Sequence, residues 1–279
     1  FAGWIQAEPR VKAAVLFGSQ VRKAGVAAAA DAWSDIDLHL ITSAPEKMEK
    51  IDWAQVLPGL HFCHQAVRPA TGGVRKVTVF FAEGEADLVL VPALSFRLAG
   101  WAMVVGLEAR LTFLRTALDS LATILSGGYR CLKGERQWGW IYARVLRQRP
   151  GFRIDDAGVR QLADVFLCDL VWVLQKLERG ELVAAQRILH RALLETNVLL
   201  VHEVRTRHAL PTFQQARRVE QLVTPAELAA LQVNTQLNAA ELRAAAWELF
   251  AGCKMLIGQL VPDWTVPPGM QALLERYKP

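Results

Sequence analysis

Cysteine is scarce in this sequence, and its cysteines do not cluster. The four of them lie far apart, and no pair has the Cys-x-x-Cys spacing of a zinc site or a redox motif. His61 and His64 flank Cys63, but no second pair of ligands completes a metal site there. We therefore expect free thiols, as in the reducing cytoplasm, with Cys168 buried in an apolar stretch. The cysteines are Cys63, Cys131, Cys168 and Cys253.

Long apolar runs and long stretches of one charge sign are also missing. No apolar run approaches the roughly 20 residues that cross a bilayer, and no secretory signal is visible, so we expect no membrane partner. The net charge of +5 is modest. Its basic residues are scattered without interleaved aromatics, so we expect no nucleic-acid partner. With 52% hydrophobic residues, a chain of 279 residues can bury a substantial core in one large or two medium domains.

Gly18-Ser19 and the pair Asp35 and Asp37 form the most informative pattern. Gly18-Ser19 ends an apolar run and Asp35-Ile36-Asp37 opens the next, which predicts a strand, a turn and a second strand. Because side chains alternate along a strand, Asp35, Asp37 and His39 share one face. Two carboxylates about 7 Å apart along a strand can converge on one or two hard cations. Without a cation they repel each other, so the pattern predicts a Mg²⁺ site.

The Gly-Ser turn suits a phosphate. Gly18 lets the backbone come close to phosphate oxygens, and the Ser19 hydroxyl and nearby N–H groups can donate hydrogen bonds to them. Arg22 and Lys23 follow closely in the chain. Their positive charges suit the same phosphates, although both residues also fit a solvated loop. The turn and the carboxylates together predict a site for a nucleoside triphosphate with Mg²⁺.

A third carboxylate follows in a predicted hairpin. Residues 74–81 and 86–92 have the apolar, β-branched pattern of two strands, and Glu83-Gly84-Glu85 suits the turn between them. Asp87 begins the returning strand, where a buried carboxylate is costly without a partner. Alone, it would fit a solvated hairpin end. With the upstream aspartates, we expect Asp87 to be a third metal ligand or a general base, and Glu85 is the second choice.

Three stretches of the chain resemble one protein family. The order Gly-Ser, Asp-x-Asp and a later Asp on a small mixed sheet resembles the nucleotidyltransferase superfamily that includes DNA polymerase β. Within it, the chain resembles the aminoglycoside 6-adenylyltransferases, the streptomycin-modifying enzymes. The stretches are LFGSQVRKAG with SDIDLHLI, then ADLVLVP, then FLCDLVWVLQKLERGELVAAQRIL. The first is a superfamily signature, and the other two are less specific but occur in the expected order.

This resemblance implies a magnesium-dependent adenylyltransferase with ATP as co-substrate. Asp35, Asp37 and Asp87 would bind the metal and serve catalysis. The nucleotide would be bound by the Gly-Ser turn and the residues after it, which are Gly18, Ser19, Gln20, Arg22 and Lys23. Family members often carry arginine where this chain has Gln20, so Arg22 and Lys23 would supply the charge instead. AMP would pass to a hydroxyl of a cationic aminoglycoside such as streptomycin, with release of pyrophosphate.

The sequence pattern changes from strands to helices after Pro92. Earlier residues favour short β-branched runs, and later residues repeat apolar positions at helical spacing. We therefore predict an α+β chain in which a nucleotidyltransferase domain with a small mixed β-sheet, 1–95, precedes an α-helical bundle domain, 96–279. The resemblance implies that the second domain binds the acceptor, which is held between the two. The predicted helices span 98–125, 137–146, 156–177, 182–205 and 239–260.

Two carboxylates of the predicted bundle, Asp169 and Glu195, lie among apolar residues. Such positions are costly unless the carboxylate is paired or faces a cavity. One interpretation is structural, because Arg191 lies one helical turn before Glu195, and Arg160 could reach Asp169 through tertiary packing. The other is that both carboxylates bind a polycationic acceptor or deprotonate its hydroxyl, with Glu203 as a weaker candidate. We take Asp169 and Glu195 as candidate substrate-binding residues.

Several functions share these motifs. A nucleotidyltransferase could act on another acceptor, such as a lincosamide, a protein side chain or an RNA end. An inactive nucleotide-binding homologue or a helical scaffold would not need three metal-binding aspartates. The sequence leaves open the acceptor hydroxyl, ATP or GTP as donor, the general base, and a monomer or a homodimer.

Overall fold

The chain folds into two compact units. We describe its computed structural model over residues 1–22, 30–148, 153–213 and 216–278. The first unit, Phe1–Phe152, contains a six-stranded sheet with helices. The second unit, Arg153–Pro279, contains only helices and loops within its described residues. A mixed sheet followed by a helical part confirms the predicted α+β class.

Six strands form one mixed sheet in the first unit. They are β1 (Val11–Phe17), β2 (Ile36–Thr42), β3 (Phe62–Pro69), β4 (Arg75–Phe81), β5 (Gly84–Pro92) and β6 (Arg130–Lys133). The strand order is β3-β4-β5-β2-β1-β6. β2 and β5 run parallel, and the other paired neighbours are antiparallel. β4 and β5 begin and end within two residues of the predicted ranges 74–81 and 86–92, and β1 and β2 are the strands predicted on either side of the Gly-Ser turn.

Three short helices cover one face of this sheet. They are α1 (Ala2–Ala7), α2 (Pro45–Met48) and α3 (Trp53–Val56). Leu38 of β2 and Leu88 of β5 are buried on this side, together with Ile5, Met48 and Trp53 from the helices. Because side chains alternate along a strand, the aspartates next to these leucines point to the opposite face.

Three longer helices pack on that opposite face. They are α4 (Ala93–Val104), α5 (Thr112–Leu125) and α6 (Glu135–Gln148). Phe96, Leu118 and Tyr142 from these helices form a buried cluster with Val15 and Ile41 of the sheet. The aspartates therefore lie on the face that is partly covered by α4 to α6.

The organisation of residues 93–148 differs from the predicted one. The predicted first domain ends at residue 95, whereas the first compact unit extends to residue 152, because α4 to α6 bury apolar side chains against the sheet. The predicted helix 98–125 divides at Gly106, which has a φ of +70° and precedes a short 3-10 turn. β6 returns to pair with β1, and four residues are too few to show a strand pattern in the sequence.

Helices make up the ordered elements of the second unit. They are α7 (Asp156–Glu178), α8 (Leu182–Ile188), α9 (Glu195–Arg207), α10 (Pro225–Ala229), α11 (Ala239–Leu260) and α12 (Pro268–Glu275). A π-helical turn, Leu189–Leu194, joins α8 to α9. Leu170, Leu200 and Leu249 are fully buried in the shared core of α7, α9 and α11. Asp155 caps α7, and its Oδ1 accepts a 2.8 Å hydrogen bond from Gly158 N.

The four cysteines are free, as predicted. The expectation that Cys168 is buried is wrong, because Phe166, Leu167 and Leu170 form the apolar face of α7 and leave Cys168 exposed. Cys253 is buried, and burial raises the pKa of its thiol to about 12. Within the described ranges, no helix has both the length and the apolar composition that a bilayer span requires.

Candidate metal and nucleotide site

Strand pairing brings the three predicted aspartates together. β2 and β5 run parallel, and their register places Asp37 beside Asp87. Asp35 lies directly before β2. One carboxylate oxygen of each aspartate lies within 4.8 Å of the other two. Asp87 is buried, whereas Asp35 and Asp37 are half-buried, so the cluster is accessible to a ligand.

Two residues of β4 contact Asp87. Thr78 lies opposite Asp87 in the β4–β5 register, and its hydroxyl donates a 2.6 Å hydrogen bond to Asp87 Oδ1. The Lys76 ammonium donates a hydrogen bond to Asp87 Oδ2 and forms an ion pair with it. Sequence reasoning missed both residues. Their spacing of two along a predicted strand places them on one face, which is the signal that could have identified them.

Gly18 brings the turn after β1 close to the aspartates. β1 leads directly into a 3-10 turn, Gly18–Val21. Gly18 has a φ of +73°, and a Cβ at this position would overlap Asp37 Oδ2. The left-handed backbone and the close approach both require glycine. The predicted proximity of the Gly-Ser turn to the carboxylates is therefore present in the structure.

Ser19 and Gln20 complete this turn. Ser19 is 1% exposed, and its hydroxyl has no hydrogen-bond partner within the part of the chain that the structure describes. A buried hydroxyl without a partner is unusual and suits a ligand atom. Gln20 Nε2 lies 3.4 Å from the backbone oxygen of Asp35, so the turn also contacts the segment that carries the first aspartate.

The basic residues after the turn are described only in part. Arg22 is half-buried, and its guanidinium lies against Gly127, where a Cβ would collide with it. Lys23 lies outside the described residues. Contact of Arg22 and Lys23 with phosphate therefore stays a prediction.

His39 lies two residues beyond Asp37 on β2 and connects the sheet to α6. It is 7% exposed, and its Nδ1 lies 2.6 Å from the Tyr142 hydroxyl. The rings of Phe96 and Tyr142 meet the imidazole edge to face. Burial lowers the pKa of His39 from 6.5 to about 4, so the imidazole is neutral at pH 7. These contacts give His39 a structural role beside the site.

The negative charge of the aspartates extends to Glu85. Burial raises the pKa of Glu85, and the nearby carboxylates of Asp87 and Asp35 raise it further. Glu85 also lines a pocket of about 250 Å³ together with Gln20 and Phe81. This pocket is smaller than the roughly 300–1,000 Å³ that usually enclose a small ligand.

The carboxylate cluster fits a hard divalent cation. Asp35, Asp37 and Asp87 offer only oxygen ligands, which Mg²⁺ prefers over nitrogen and sulfur. A divalent ion would also relieve the repulsion between the three carboxylates. The unpartnered Ser19 hydroxyl lies in the turn that approaches Asp37, which suits the phosphates that accompany such an ion.

The two predicted acceptor-binding residues lie in the second unit. Asp169 is half-buried on α7, and burial raises its pKa. Arg160, its suggested partner, instead donates to Asp263 at 2.7 Å. Glu195 is exposed at the start of α9, so the expected apolar surroundings of this carboxylate are wrong. Leu199, about one turn further along the same stripe of α9, is also 37% exposed, so this stripe lies away from the buried face of the helix.

Glu203 has a structural role. It is 1% exposed, and its carboxylate accepts hydrogen bonds from Arg207 Nε and from the backbone N–H of Ile154, both at 3.0 Å. These two partners occupy both carboxylate oxygens. We therefore no longer consider Glu203 a candidate acceptor-binding residue, whereas contact of Asp169 and Glu195 with an acceptor stays a prediction.

Two solved structures illustrate what the chain is similar to. One is an aminoglycoside 6-adenyltransferase from Bacillus subtilis, with 11% identity, a TM-score of 0.39, and coverage of 98% of this chain and 93% of that chain. The other is a nucleotidyltransferase-like protein from Exiguobacterium sibiricum 255-15, with 11% identity, a TM-score of 0.31, and coverage of 97% and 83%. No protein-family model and no curated protein matches the sequence. The activity of the chain therefore has to be inferred from the residues of the site.

Proposed function

We propose that the chain is a nucleotidyltransferase that moves AMP from ATP to a hydroxyl of an aminoglycoside, with streptomycin as the first candidate. The observation that carries this proposal is the convergence of Asp35, Asp37 and Asp87 beside the Gly18-Ser19 turn. An oxygen-ligand cluster next to a glycine turn combines a Mg²⁺ site with a phosphate site, the two requirements of nucleotidyl transfer. The acceptor class is supported by the sequence motifs and by the half-buried carboxylate of Asp169.

The residues of the site have separate roles in this proposal. Asp35, Asp37 and Asp87 would hold Mg²⁺, which when bound neutralises charge on the triphosphate and stabilises the attacking and leaving oxygens. The Ser19 hydroxyl and the N–H groups of its turn would donate to phosphate oxygens. Gly18 keeps that turn close to Asp37, so the phosphate-binding and metal-binding groups share one small volume.

The proposed reaction forms one bond to phosphorus and breaks another, while one proton moves from the acceptor to a carboxylate. The acceptor oxygen attacks the α-phosphorus as its proton passes to a carboxylate, and the bond between the α-phosphorus and pyrophosphate breaks. Both oxygens of Asp87 already accept hydrogen bonds, from Thr78 and Lys76. Because both oxygens already accept hydrogen bonds, Asp87 is poorly placed to take the acceptor's proton as a general base.

Pyrophosphate release from ATP and Mg²⁺ with a panel of acceptors, led by streptomycin, tests the proposal. We expect release to require an acceptor, and mass spectrometry to show the gain of one AMP on streptomycin. Asp37→Ala should abolish transfer while its circular dichroism spectrum stays near that of the wild type. Glu46→Ala is the matched control, because Glu46 is exposed on α2, which packs on the other face of the sheet. Unaltered turnover in Asp37→Ala would overturn the proposal.

The acceptor panel also separates the reaction from the acceptor. Transfer to a lincosamide, a protein side chain or an RNA end, with none to aminoglycosides, would keep nucleotidyl transfer and replace the acceptor. Binding of Mg²⁺ and ATP without transfer to any acceptor would identify an inactive nucleotide-binding homologue. Absence of nucleotide binding would leave a structural scaffold.

A further inference from the structure

Lys76 contacts the most buried carboxylate of the candidate site. Asp87 is 7% exposed, and its Oδ2 accepts a hydrogen bond from the Lys76 ammonium. Its Oδ1 accepts a hydrogen bond from the Thr78 hydroxyl. Both oxygens that Asp87 can offer to a metal ion therefore have protein partners. One of these partners, the ammonium, carries a full positive charge and is itself an alternative to a metal ion.

The sheet register directs Lys76 toward this carboxylate. Lys76 lies opposite Arg68 in the β3–β4 pair, and like charges directly opposite each other across two strands repel. Arg68 is exposed, whereas Lys76 is half-buried. Repulsion from Arg68 and attraction to Asp87 act in the same direction. Both place the Lys76 ammonium at the carboxylates rather than in solvent.

We propose that Lys76 is a built-in counter-ion of the acidic site, and that Lys76 and a divalent metal ion exclude each other at Asp87. This inference rests on the proposed function, because it takes the aspartates as metal ligands. A metal ion bound to Asp87 would stand within a few ångströms of the ammonium, and two cations at that separation repel. One cation therefore replaces the other, and Asp87 keeps a positive partner both before and after the exchange.

This exchange makes metal binding depend on the nucleotide. A divalent ion that arrives alone displaces the Lys76 ammonium into water. An ion that arrives with a triphosphate brings anionic oxygens, to which the displaced ammonium can donate. Lys76 should therefore weaken the binding of the metal ion alone and strengthen the binding of the metal–nucleotide complex.

Binding of Mn²⁺ alone to the intact metal-free chain, followed by electron paramagnetic resonance, tests the exclusion. Lys76→Met should bind Mn²⁺ about tenfold more tightly than the wild type, because a repelling unit charge is gone. Lys76→Arg keeps the charge and should bind Mn²⁺ as the wild type does. Arg75→Met is the matched control, since Arg75 lies next along β4, points to the other face and is 3.7 Å from Glu49. Unchanged or weaker Mn²⁺ binding in Lys76→Met would overturn the proposal.

The nucleotide arm of the same experiment should give the opposite result. With a non-hydrolysable ATP analogue, Lys76→Met should bind the Mn²⁺–nucleotide complex about tenfold more weakly, because a charge-assisted contact to phosphate is lost. Equal or tighter binding of the complex would contradict the exchange.

Chemical labelling of the wild-type chain provides a measurement that does not depend on a variant folding. Reductive methylation of Lys76, quantified by mass spectrometry, should be slow without metal and faster once Mg²⁺ is added. A Lys76 labelling rate that Mg²⁺ leaves unchanged would contradict the exchange.

The Asp37→Ala variant distinguishes failure of this inference from failure of the proposed function. If Mn²⁺ binding requires Asp37 but is indifferent to Lys76, the metal site stands and the counter-ion role is wrong. If Mn²⁺ binding survives the loss of Asp37, the metal site of the proposed function is wrong, and the role of Lys76 fails with it.

Discussion

The two units of the chain arrange their acidic side chains in opposite ways. Among the described residues of the second unit, the buried Glu203 lies 3.0 Å from the Arg207 guanidinium and the buried Glu227 lies 2.9 Å from the Arg205 guanidinium. In the first unit, three aspartates gather within 4.8 Å of one another. The second unit pairs each of these buried carboxylates with a guanidinium, whereas the first unit brings three carboxylates together and pairs one of them, Asp87, with the Lys76 ammonium.

This difference separates a structural arrangement from a functional one. An ion pair with a hydrogen-bonded carboxylate stabilises the fold around it, whereas converging carboxylates oppose folding unless a cation, either a bound ion or a side chain such as Lys76, offsets their repulsion. In the first unit the convergence is imposed by strand register, because Asp37 and Asp87 are neighbours in a parallel pair. Loss of one carboxylate should therefore affect mainly activity in the first unit and mainly stability in the second.

Asp35→Asn should have the largest effect, and this effect should fall on activity. An amide is a weaker ligand for a hard cation than a carboxylate, so transfer should fall at least ~10³-fold, or about 4 kcal/mol in activation free energy. Removal of one like charge should leave the free energy of unfolding of the metal-free protein unchanged or raise it by about 1 kcal/mol. Pyrophosphate release and urea denaturation without metal measure the two effects. A marked loss of stability would break the comparison between the units.

Glu203→Ala should show the reverse behaviour. The change leaves the Ile154 N–H without its acceptor and removes a carboxylate from the Arg207 guanidinium. We expect the free energy of unfolding of the second unit to fall by about 3 kcal/mol. Glu195→Ala is the matched control on the same helix, because Glu195 is exposed and its loss should change stability by less than about 0.5 kcal/mol. Equal urea midpoints for the two variants would show that the buried pair has no structural role.

His39 extends the comparison from carboxylates to a buried imidazole in the first unit. Its pKa is about 4 in the folded chain and about 6.5 when unfolded, so between these values the unfolded chain takes up a proton that the folded chain does not. Stability is therefore fully present above pH 6.5 and is lost as the pH falls toward 4. From pH 7 to pH 5 the loss should be about 2 kcal/mol. Denaturant unfolding with hydrogen exchange in β2 measures it.

A non-titrating side chain at position 39 provides the control for this pH dependence. His39→Gln retains a polar group near the Tyr142 hydroxyl but removes the titration. The difference in stability between pH 7 and pH 5 should shrink by about 2 kcal/mol in this variant. The same pH dependence in both proteins would assign it to other groups.

The sequence pattern predicts strand and helix bounds and the faces that strand residues share, because these depend on neighbouring residues. β1 ends at the Gly18-Ser19 turn and α11 spans Ala239–Leu260, as the sequence pattern indicates, since β1 buries an almost unbroken apolar run and α11 buries a regular apolar stripe. The shared face of Asp35 and Asp37 follows from the same alternation. The cost of a buried carboxylate at the start of β5, together with the upstream aspartates, adds the expectation that Asp87 joins them. Alternation along one strand does not predict the β2–β5 pairing that places Asp87 beside Asp37. The register between strands that are distant in sequence depends on tertiary structure.

The features that sequence reasoning missed depend on contacts between distant residues. β3 is an edge strand with many exposed side chains, and its pairing with β4 rather than an apolar pattern defines it. Lys76 becomes a site residue only through its ion pair with Asp87 on the next strand. Glu195 is exposed because its stripe of α9, which also carries the exposed Leu199, lies away from the core, and the apolar residues of that stripe do not reveal this in the sequence.

Asp169→Asn should have the smallest effect, and it should appear only with a cationic acceptor. Asp169 departs from the paired pattern of the second unit, since burial raises its pKa and it makes no ion pair within the described residues. A partly exposed charge contact contributes about 1 kcal/mol or less, so the KM for streptomycin should rise about fivefold while kcat and stability change little. Asp164→Asn, an exposed position on the same helix, is the matched control. Equal KM values for the two variants would mean that Asp169 is unpaired for a reason other than acceptor binding.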